Sequence, residues 1–254
     1  MRSILPTLFL SMSMSLSLAA SAVAGTPTHV MVRAQSLDAK FIGNHTGGLQ
    51  VTLSDARSGA VLAKGLISGG TGDTPRIMLA PHLRNAPLSD KDTAGFEAVL
   101  DLAQPTLVKV DAVGPMGRPA SAISVSSTMW IIPGHDVLGD GWVLTFPGIV
   151  IEPTTAPGPD GAIKVNANVT MMCGCPITPA GTWDANDYRI DATVLDGDRT
   201  VAATPLAYAG QPSQFTGVLP KIRPGKYRLR LVAVNARTPN TGVVEQALDI
   251  PAPR

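Results

Sequence analysis

Apolar and polar residues alternate along most of this chain, in short runs separated by glycine and proline. The clearest run is Lys226–Val234, where Tyr227, Leu229 and Leu231 alternate with charged residues. A period of two places such residues on opposite faces of a β-strand. Similar runs predict further strands at His29–Gln35, Leu49–Ser54, Val61–Ile67, Phe96–Leu102, Thr106–Val113, Ala122–Ile132, Ile163–Thr170 and Val243–Ile250. The pattern therefore predicts an all-β fold.

Part of the pattern occurs twice. Phe96 is followed nine residues later by Pro105 and a strand, and Phe215 is followed nine residues later by Pro224 and a strand. Upstream, Val51–Asp55 resembles Ala192–Asp196. Repetition of this kind predicts two copies of one structural unit.

The Pro224-Gly225 turn, the alternating strand after it and the closing strand resemble the last hairpin of bacterial immunoglobulin-like domains. The resemblance implies two tandem immunoglobulin-like β-sandwiches. It also implies that Tyr227 is a corner tyrosine whose hydroxyl bonds to the backbone. A likeness at the level of fold implies no activity.

The repeat and the proline content predict the domain boundaries. We expect a β-sandwich over residues 25–152, with an insertion at about residues 68–94 and a C-terminal hairpin around Asp140-Gly141. Three prolines within residues 153–161 predict an extended linker. Residues 162–254 then form the second sandwich.

Residues 1–24 have the features of a cleaved signal peptide. Arg2 precedes an apolar stretch, and Ala22-Val23-Ala24 is a small-residue cleavage site. No later apolar run approaches the length of a membrane span. The sequence therefore predicts a soluble protein of the periplasm without a membrane span in the mature chain.

Composition excludes several classes of protein. Hydrophobic residues make up 44% of the 254 residues and charged residues 15%, which argues against a disordered chain. A net charge of +1 argues against a nucleic-acid partner. Hydrolase motifs such as G-x-S-x-G and His-Glu-x-x-His are missing, so the sequence favours a protein that is not an enzyme.

Both cysteines of the chain lie in the segment Met171-Met172-Cys173-Gly174-Cys175. On a continuing extended backbone, Met171, Cys173 and Cys175 would share one face, with Met172 on the other. Soft sulfur donors prefer Cu(I) to hard cations. Our leading hypothesis is a copper-binding or copper-delivery accessory protein, with the two cysteines as thiolate ligands and Met171 or Met172 as thioether.

Other functions are open at this stage. The cysteines could form a redox-active or a structural disulfide, although no basic group or histidine flanks them in the sequence, and an extended backbone would hold them at the limit for a bridge. A non-enzymatic interaction module is a further alternative, in which the insertion or the basic face of Lys226, Arg228 and Arg230 serves a protein partner.

Histidine could complete a metal site in space, and four are available: His29, His45, His82 and His135. None is spaced from another as zinc ligands are. By the repeat, the loop that contains His45 matches the region just after Cys175. Trp183 could cover the cysteine loop. Whether any histidine is a ligand is left open by the sequence.

Overall fold

The computed structural model describes residues 24–252, which form fourteen β-strands and five short helical turns. The predicted signal peptide lies almost wholly outside the described residues. The strands are β1 (Thr26–Ser36), β2 (Leu49–Asp55), β3 (Val61–Ile67), β4 (Phe96–Leu102), β5 (Thr106–Gly114), β6 (Ile123–Ile131), β7 (Val137–Phe146), β8 (Ile149–Pro157), β9 (Ile163–Met171), β10 (Tyr188–Asp196), β11 (Arg199–Tyr208), β12 (Gln214–Leu219), β13 (Gly225–Asn235) and β14 (Thr241–Ile250). The helical turns are Asn44–Thr46, Pro75–Leu79, Pro119–Ser121, Pro159–Gly161 and Ala185–Asp187. The all-β prediction is confirmed.

Strands β1 to β7 enclose the first hydrophobic core. One sheet has the order β4-β1-β7 and the other has the order β3-β2-β5-β6. Alternate residues of each strand point inward, as Val108 and Val110 do on β5, where both are fully buried. The buried apolar side chains of the two sheets meet in one cluster, as in a β-sandwich.

Strands β8 to β14 enclose the second core. They form one sheet of order β14-β13-β10-β11-β12-β9-β8, which folds over so that β8 contacts β13 and β14. Leu229 and Leu231 are fully buried here, at the positions that the alternation of β13 predicts. The Tyr227 hydroxyl donates to the carbonyl oxygen of Arg223 at 3.1 Å, as the immunoglobulin-like resemblance implies.

The two units share a pattern of strand pairing. In the first unit β2 pairs with β3 and β5, β5 with β6, and β1 with β4. In the second, β10 pairs with β11 and β13, β13 with β14, and β9 with β12. The matched sequence segments therefore occupy matching strands, because β2 corresponds to β10 and β5 to β13.

Two predictions between the units are wrong. Residues Ile149–Pro157, which include most of the expected linker, form β8 and pair with β9 along its length. Proline is tolerated there because β8 is an edge strand. The expected Asp140-Gly141 turn lies inside β7, where the register with β1 shifts at a bulge and Gly141 takes φ +70°.

The expected insertion, residues 68–94, forms an irregular wall beside β1 and β7. Asp140 on β7 accepts hydrogen bonds from the backbone N–H groups of Leu88 and Ser89 at 2.9 and 2.8 Å, and from the Ser89 hydroxyl at 2.5 Å. The buried Arg33 guanidinium donates to the carbonyl oxygens of Thr93 and Ala94. These bonds fix a long loop against the first unit.

The basic face of β13 is balanced by a neighbouring acid. Arg228 and Arg230 both bond to Glu245 on β14, at 2.9 and 2.6 Å, and these cations hold the pKa of Glu245 below its usual value. A protein partner for this face stays a prediction.

Among residues 24–252 no helix is long and apolar enough to cross a membrane.

Candidate functional site

Cys173 and Cys175 are joined by a disulfide bond at the end of β9. The strand stops at Met171 rather than continuing in extended form, and a turn brings the two Cα atoms to 5.4 Å, well within the range of disulfides. The Gly174 N–H donates to the carbonyl oxygen of Met171 at 2.7 Å, and the Met171 N–H donates to that of Cys175 at 3.2 Å. The backbone itself therefore holds the sulfur atoms side by side.

Glycine is required at the centre of this turn. Gly174 has φ +76°, a conformation that L side chains rarely adopt. A Cβ at this position would also overlap Cδ2 of His45 and lie 2.8 Å from its Nε2. The imidazole of His45 thus packs directly on the residue between the two cysteines.

The two methionines of the predicted copper site lie apart. Met171 belongs to the second core together with both cysteines, whereas Met172 belongs to the first core and contacts Gly148. The Met171 sulfur accepts a hydrogen bond from the Tyr188 hydroxyl at 3.0 Å. Burial raises the pKa of Tyr188 to about 12, so this donor keeps its proton at neutral pH.

The disulfide faces a cleft of about 800 Å³ between the two units. The first unit contributes Lys40, Asn44 and His45 from the loop after β1, together with Gly69, Gly70, Thr71 and Thr74 of the insertion. The second contributes the disulfide turn, Pro176 and Trp183. The cysteines are almost fully buried, at 1% and 4% exposure, so the cleft is their route to solvent.

Hydrogen bonds across the junction fix the cleft. The Trp183 indole N–H donates to the carbonyl oxygen of Asp38 at 2.9 Å, and the Thr46 hydroxyl donates to that of Met172 at 3.2 Å. Trp183 therefore forms a wall of the cysteine cleft. The buried Asn240 side chain donates to the Leu37 carbonyl oxygen and accepts from the Gly148 N–H.

The remaining histidines lie elsewhere. His29 bonds to Glu97 at 2.6 Å, and His82 bonds to the Ile77 carbonyl oxygen at 3.2 Å. Neither these two nor His135 lines the cleft. Over the described part of the chain, no group of three or more His, Cys, Asp or Glu side chains is arranged to hold a metal ion.

The sequence singles out the cysteines and includes His45 among four histidines that could approach them, but it gives no indication of Lys40. Lys40 and His45 are more than 120 residues from the pair, so no spacing pattern could reveal them. The one available indication was the repeat, because the loop after β1 in the first unit corresponds to the disulfide segment after β9 in the second. The structure brings these equivalent loops into contact through His45 and Gly174.

No protein-family model and no curated protein matches the chain. Among solved structures, it is similar to the chicken interferon gamma receptor alpha chain, with 9% identity and a TM-score of 0.35 over 91% of this chain and all of that one. It is also similar to a β-glucuronidase of Parabacteroides merdae, with 10% identity and a TM-score of 0.23 over 88% of this chain and 24% of that one. These likenesses concern the fold alone and carry no argument about function.

Proposed function

We propose that the chain is an exported thiol–disulfide exchange protein that acts through Cys173 and Cys175. The observation that carries the proposal is a disulfide at the wall of an interdomain cleft that Lys40 and His45 also line, with His45 packed on Gly174. Cationic groups next to a sulfur atom favour its thiolate form. The thiolate is both the attacking and the leaving species in exchange.

The pair is poorly suited to act only as a structural cross-link. It closes a loop of three residues, and the chain-entropy relation gives such a cross-link about 1.6 kcal/mol, against about 4.7 kcal/mol for a loop of about 100 residues. The backbone hydrogen bonds at Met171 and Gly174 already fix the turn. Because the disulfide adds little stability, the proposal assigns it a role in thiol–disulfide exchange.

The exchange proceeds by attack of an external thiolate on one sulfur atom. Both cysteines line the cleft, and the step is written here for attack at Cys175. The S–S bond breaks, a mixed disulfide forms at Cys175, and Cys173 leaves as a thiolate that takes a proton from solvent. A second thiolate then releases Cys175 and leaves the external thiols joined as a disulfide.

Equilibration of the oxidised protein with a thiol–disulfide buffer tests the proposal. Cys173 and Cys175 are the only cysteines, so alkylation and mass measurement report on this pair alone. We expect full exchange, with a reduction potential above about −300 mV, the value below which structural disulfides fall. A pair that stays oxidised at lower potentials would contradict the proposal. A Cys173→Ser, Cys175→Ser variant, which has no cysteine to alkylate, serves as the negative control.

Binding of Cu(I) is the second candidate, and it is supported by the hydrogen-bonded turn that brings the two cysteines together. Reduction would present two thiolates on one side of the turn, with His45 adjacent to Gly174 as a nitrogen donor. The predicted methionine ligands fit less well, because Met171 accepts the Tyr188 hydrogen bond and Met172 packs in the other core. Anaerobic competition of the reduced protein with a Cu(I) chelator, with the double serine variant as control, tests this candidate.

Export to the periplasm is part of the proposal. It is supported by the sequence of residues 1–24 and by the disulfide, because disulfides persist in oxidising compartments. Fractionation of cells that express the full chain, followed by N-terminal sequencing, tests it. We expect a periplasmic protein that begins at Gly25; a cytoplasmic protein that retains Met1 would contradict export.

A further inference from the structure

The cysteine cleft carries positive charge only. Among the described residues that line it, Lys40 and His45 are the ionisable side chains other than the disulfide, and no carboxylate is present. Asp73, which adjoins the cleft in sequence, accepts a hydrogen bond from the Arg76 N–H at the start of the helical turn. Asp38, Asp184 and Asp187 line a second cavity on the other side of Trp183, and Arg237 lines it as well.

The Lys40 ammonium group has more N–H donors than partners among the described residues. Over the described residues, its single hydrogen bond is a long one, 3.4 Å, to the carbonyl oxygen of Gly72. An ammonium group carries three donors, so two can bind a ligand in the cleft.

The rest of the lining suits a small polar molecule. Asn44 accepts a hydrogen bond from the Gly69 N–H at 3.0 Å through its side-chain oxygen, which leaves its amide nitrogen to donate. Thr71 and Thr74 add hydroxyl groups, and Trp183 adds an apolar face. A volume of about 800 Å³ lies within the ordinary range for small-molecule sites.

We propose that the thiol that exchanges with Cys173–Cys175 is a small molecule that carries a carboxylate, which Lys40 binds while its sulfur reaches the disulfide. This inference rests on the proposed exchange function and names its substrate class. In each cycle two such thiolates reduce the protein disulfide and leave as their own disulfide, and the two cysteine thiolates take up protons from solvent. An anionic thiol gains attraction from the Lys40 ammonium in the cleft, and a cationic thiol is repelled by it.

Rates of reduction by three thiols of similar size test the substrate class. We choose 3-mercaptopropionate as the anionic thiol, 2-mercaptoethanol as the neutral one and cysteamine as the cationic one. Each rate is divided by that of the same thiol with a small neutral disulfide, which removes differences in intrinsic nucleophilicity. At low salt we expect a preference of roughly tenfold for the anionic over the cationic thiol, falling towards unity at about 1 M salt, where the Debye length is about 3 Å.

Variants of Lys40 assign the preference to the cleft. Lys40→Met should abolish most of it and Lys40→Glu should reverse it. Lys64→Glu makes the same charge change at an exposed position on β3, outside the cleft, and should leave the preference unchanged. Equal effects of the Lys40 and Lys64 substitutions would overturn the inference.

The outcomes also separate the inference from the proposed function. If all three thiols reduce the protein at matched normalised rates, exchange is retained and the anionic substrate class is refuted. If none of them reduces it, the exchange function fails and the substrate class fails with it. A preference that survives in Lys40→Glu refutes the role of Lys40 directly.

Discussion

Replacement of Gly174 by alanine measures the contact between His45 and the disulfide turn. Alanine at a left-handed φ costs roughly 1–2 kcal/mol. Gly174 has φ +76°, and its added Cβ would overlap the His45 ring. Gly59 has φ +75° and no atom within 4 Å of the same added Cβ. Gly59→Ala therefore carries the backbone cost alone and serves as a matched control.

The excess cost at Gly174 follows from how the overlap is relieved. Added atoms in a packed site cost typically 1–3 kcal/mol, and an off-rotamer side chain about 0.5–1.5 kcal/mol. His45 is an exposed side chain, so its ring can swing away from the turn. We therefore expect Gly174→Ala to cost about 1 kcal/mol more than Gly59→Ala.

Urea unfolding of the oxidised variants gives the two free energies of unfolding at equal m-values. Both substitutions are then repeated in a His45→Ala background, where the overlap is gone and a 3.1 Å approach to the Thr46 side chain remains. There the excess should fall to within about 0.5 kcal/mol of zero, the usual limit of additivity. Equal costs for Gly174→Ala and Gly59→Ala in the wild-type background, or an excess that persists without the imidazole, would refute the placement of His45.

Three further predictions concern stability. Reduction of Cys173–Cys175 should lower the free energy of unfolding by about 1.6 kcal/mol in urea titrations, and a loss above about 4 kcal/mol would identify a structural cross-link instead. Burial alone would raise the pKa of Asp140, but hydrogen bonds from Ser89 and Leu88 hold this pKa below 3.8. The contribution of the Asp140 carboxylate to the free energy of unfolding is therefore complete above pH 3.8 and is lost as the pH falls below it. Asp140→Asn should flatten this acid-side loss in urea titrations at pH 3 and pH 7; an unchanged slope would contradict it. Tyr227→Phe should cost about 1 kcal/mol in thermal or urea unfolding, and no cost would show that the corner bond to the backbone is without effect.

Local alternation predicted most of the strands, because each buried face repeats with a period of two. Phe96–Leu102 and Val61–Ile67 match β4 and β3 at both ends. The wrong predictions lie at positions where contacts with distant parts of the chain override the local turn preference. Asp140-Gly141 would form a turn in isolation, but Asp140 is held in β7 by the insertion and Gly141 by its approach to Met31.

Only the cysteine part of the candidate site could be predicted from the sequence. Cys173 and Cys175 adjoin in sequence, so their pairing needed only a turn, and Gly174 supplied it. The extended geometry that argued against a bridge was wrong because backbone hydrogen bonds from Gly174 and Met171 close the turn. Lys40 and His45 reach the pair through the docking of two units, which sequence spacing does not encode.

The cleft at the disulfide is formed only where the two units meet. The second unit alone provides the sulfur atoms, the turn and Trp183, but Lys40 and His45 come from the loop after β1 in the first unit. That loop is fixed to the second unit by Thr46 at Met172 and by the indole of Trp183 at Asp38. Because positive charge near a sulfur atom favours its thiolate, separation of the units would leave the cysteines paired but remove Lys40 and His45 from their cleft. The proposed exchange function therefore predicts that both units are needed for full reactivity of the pair.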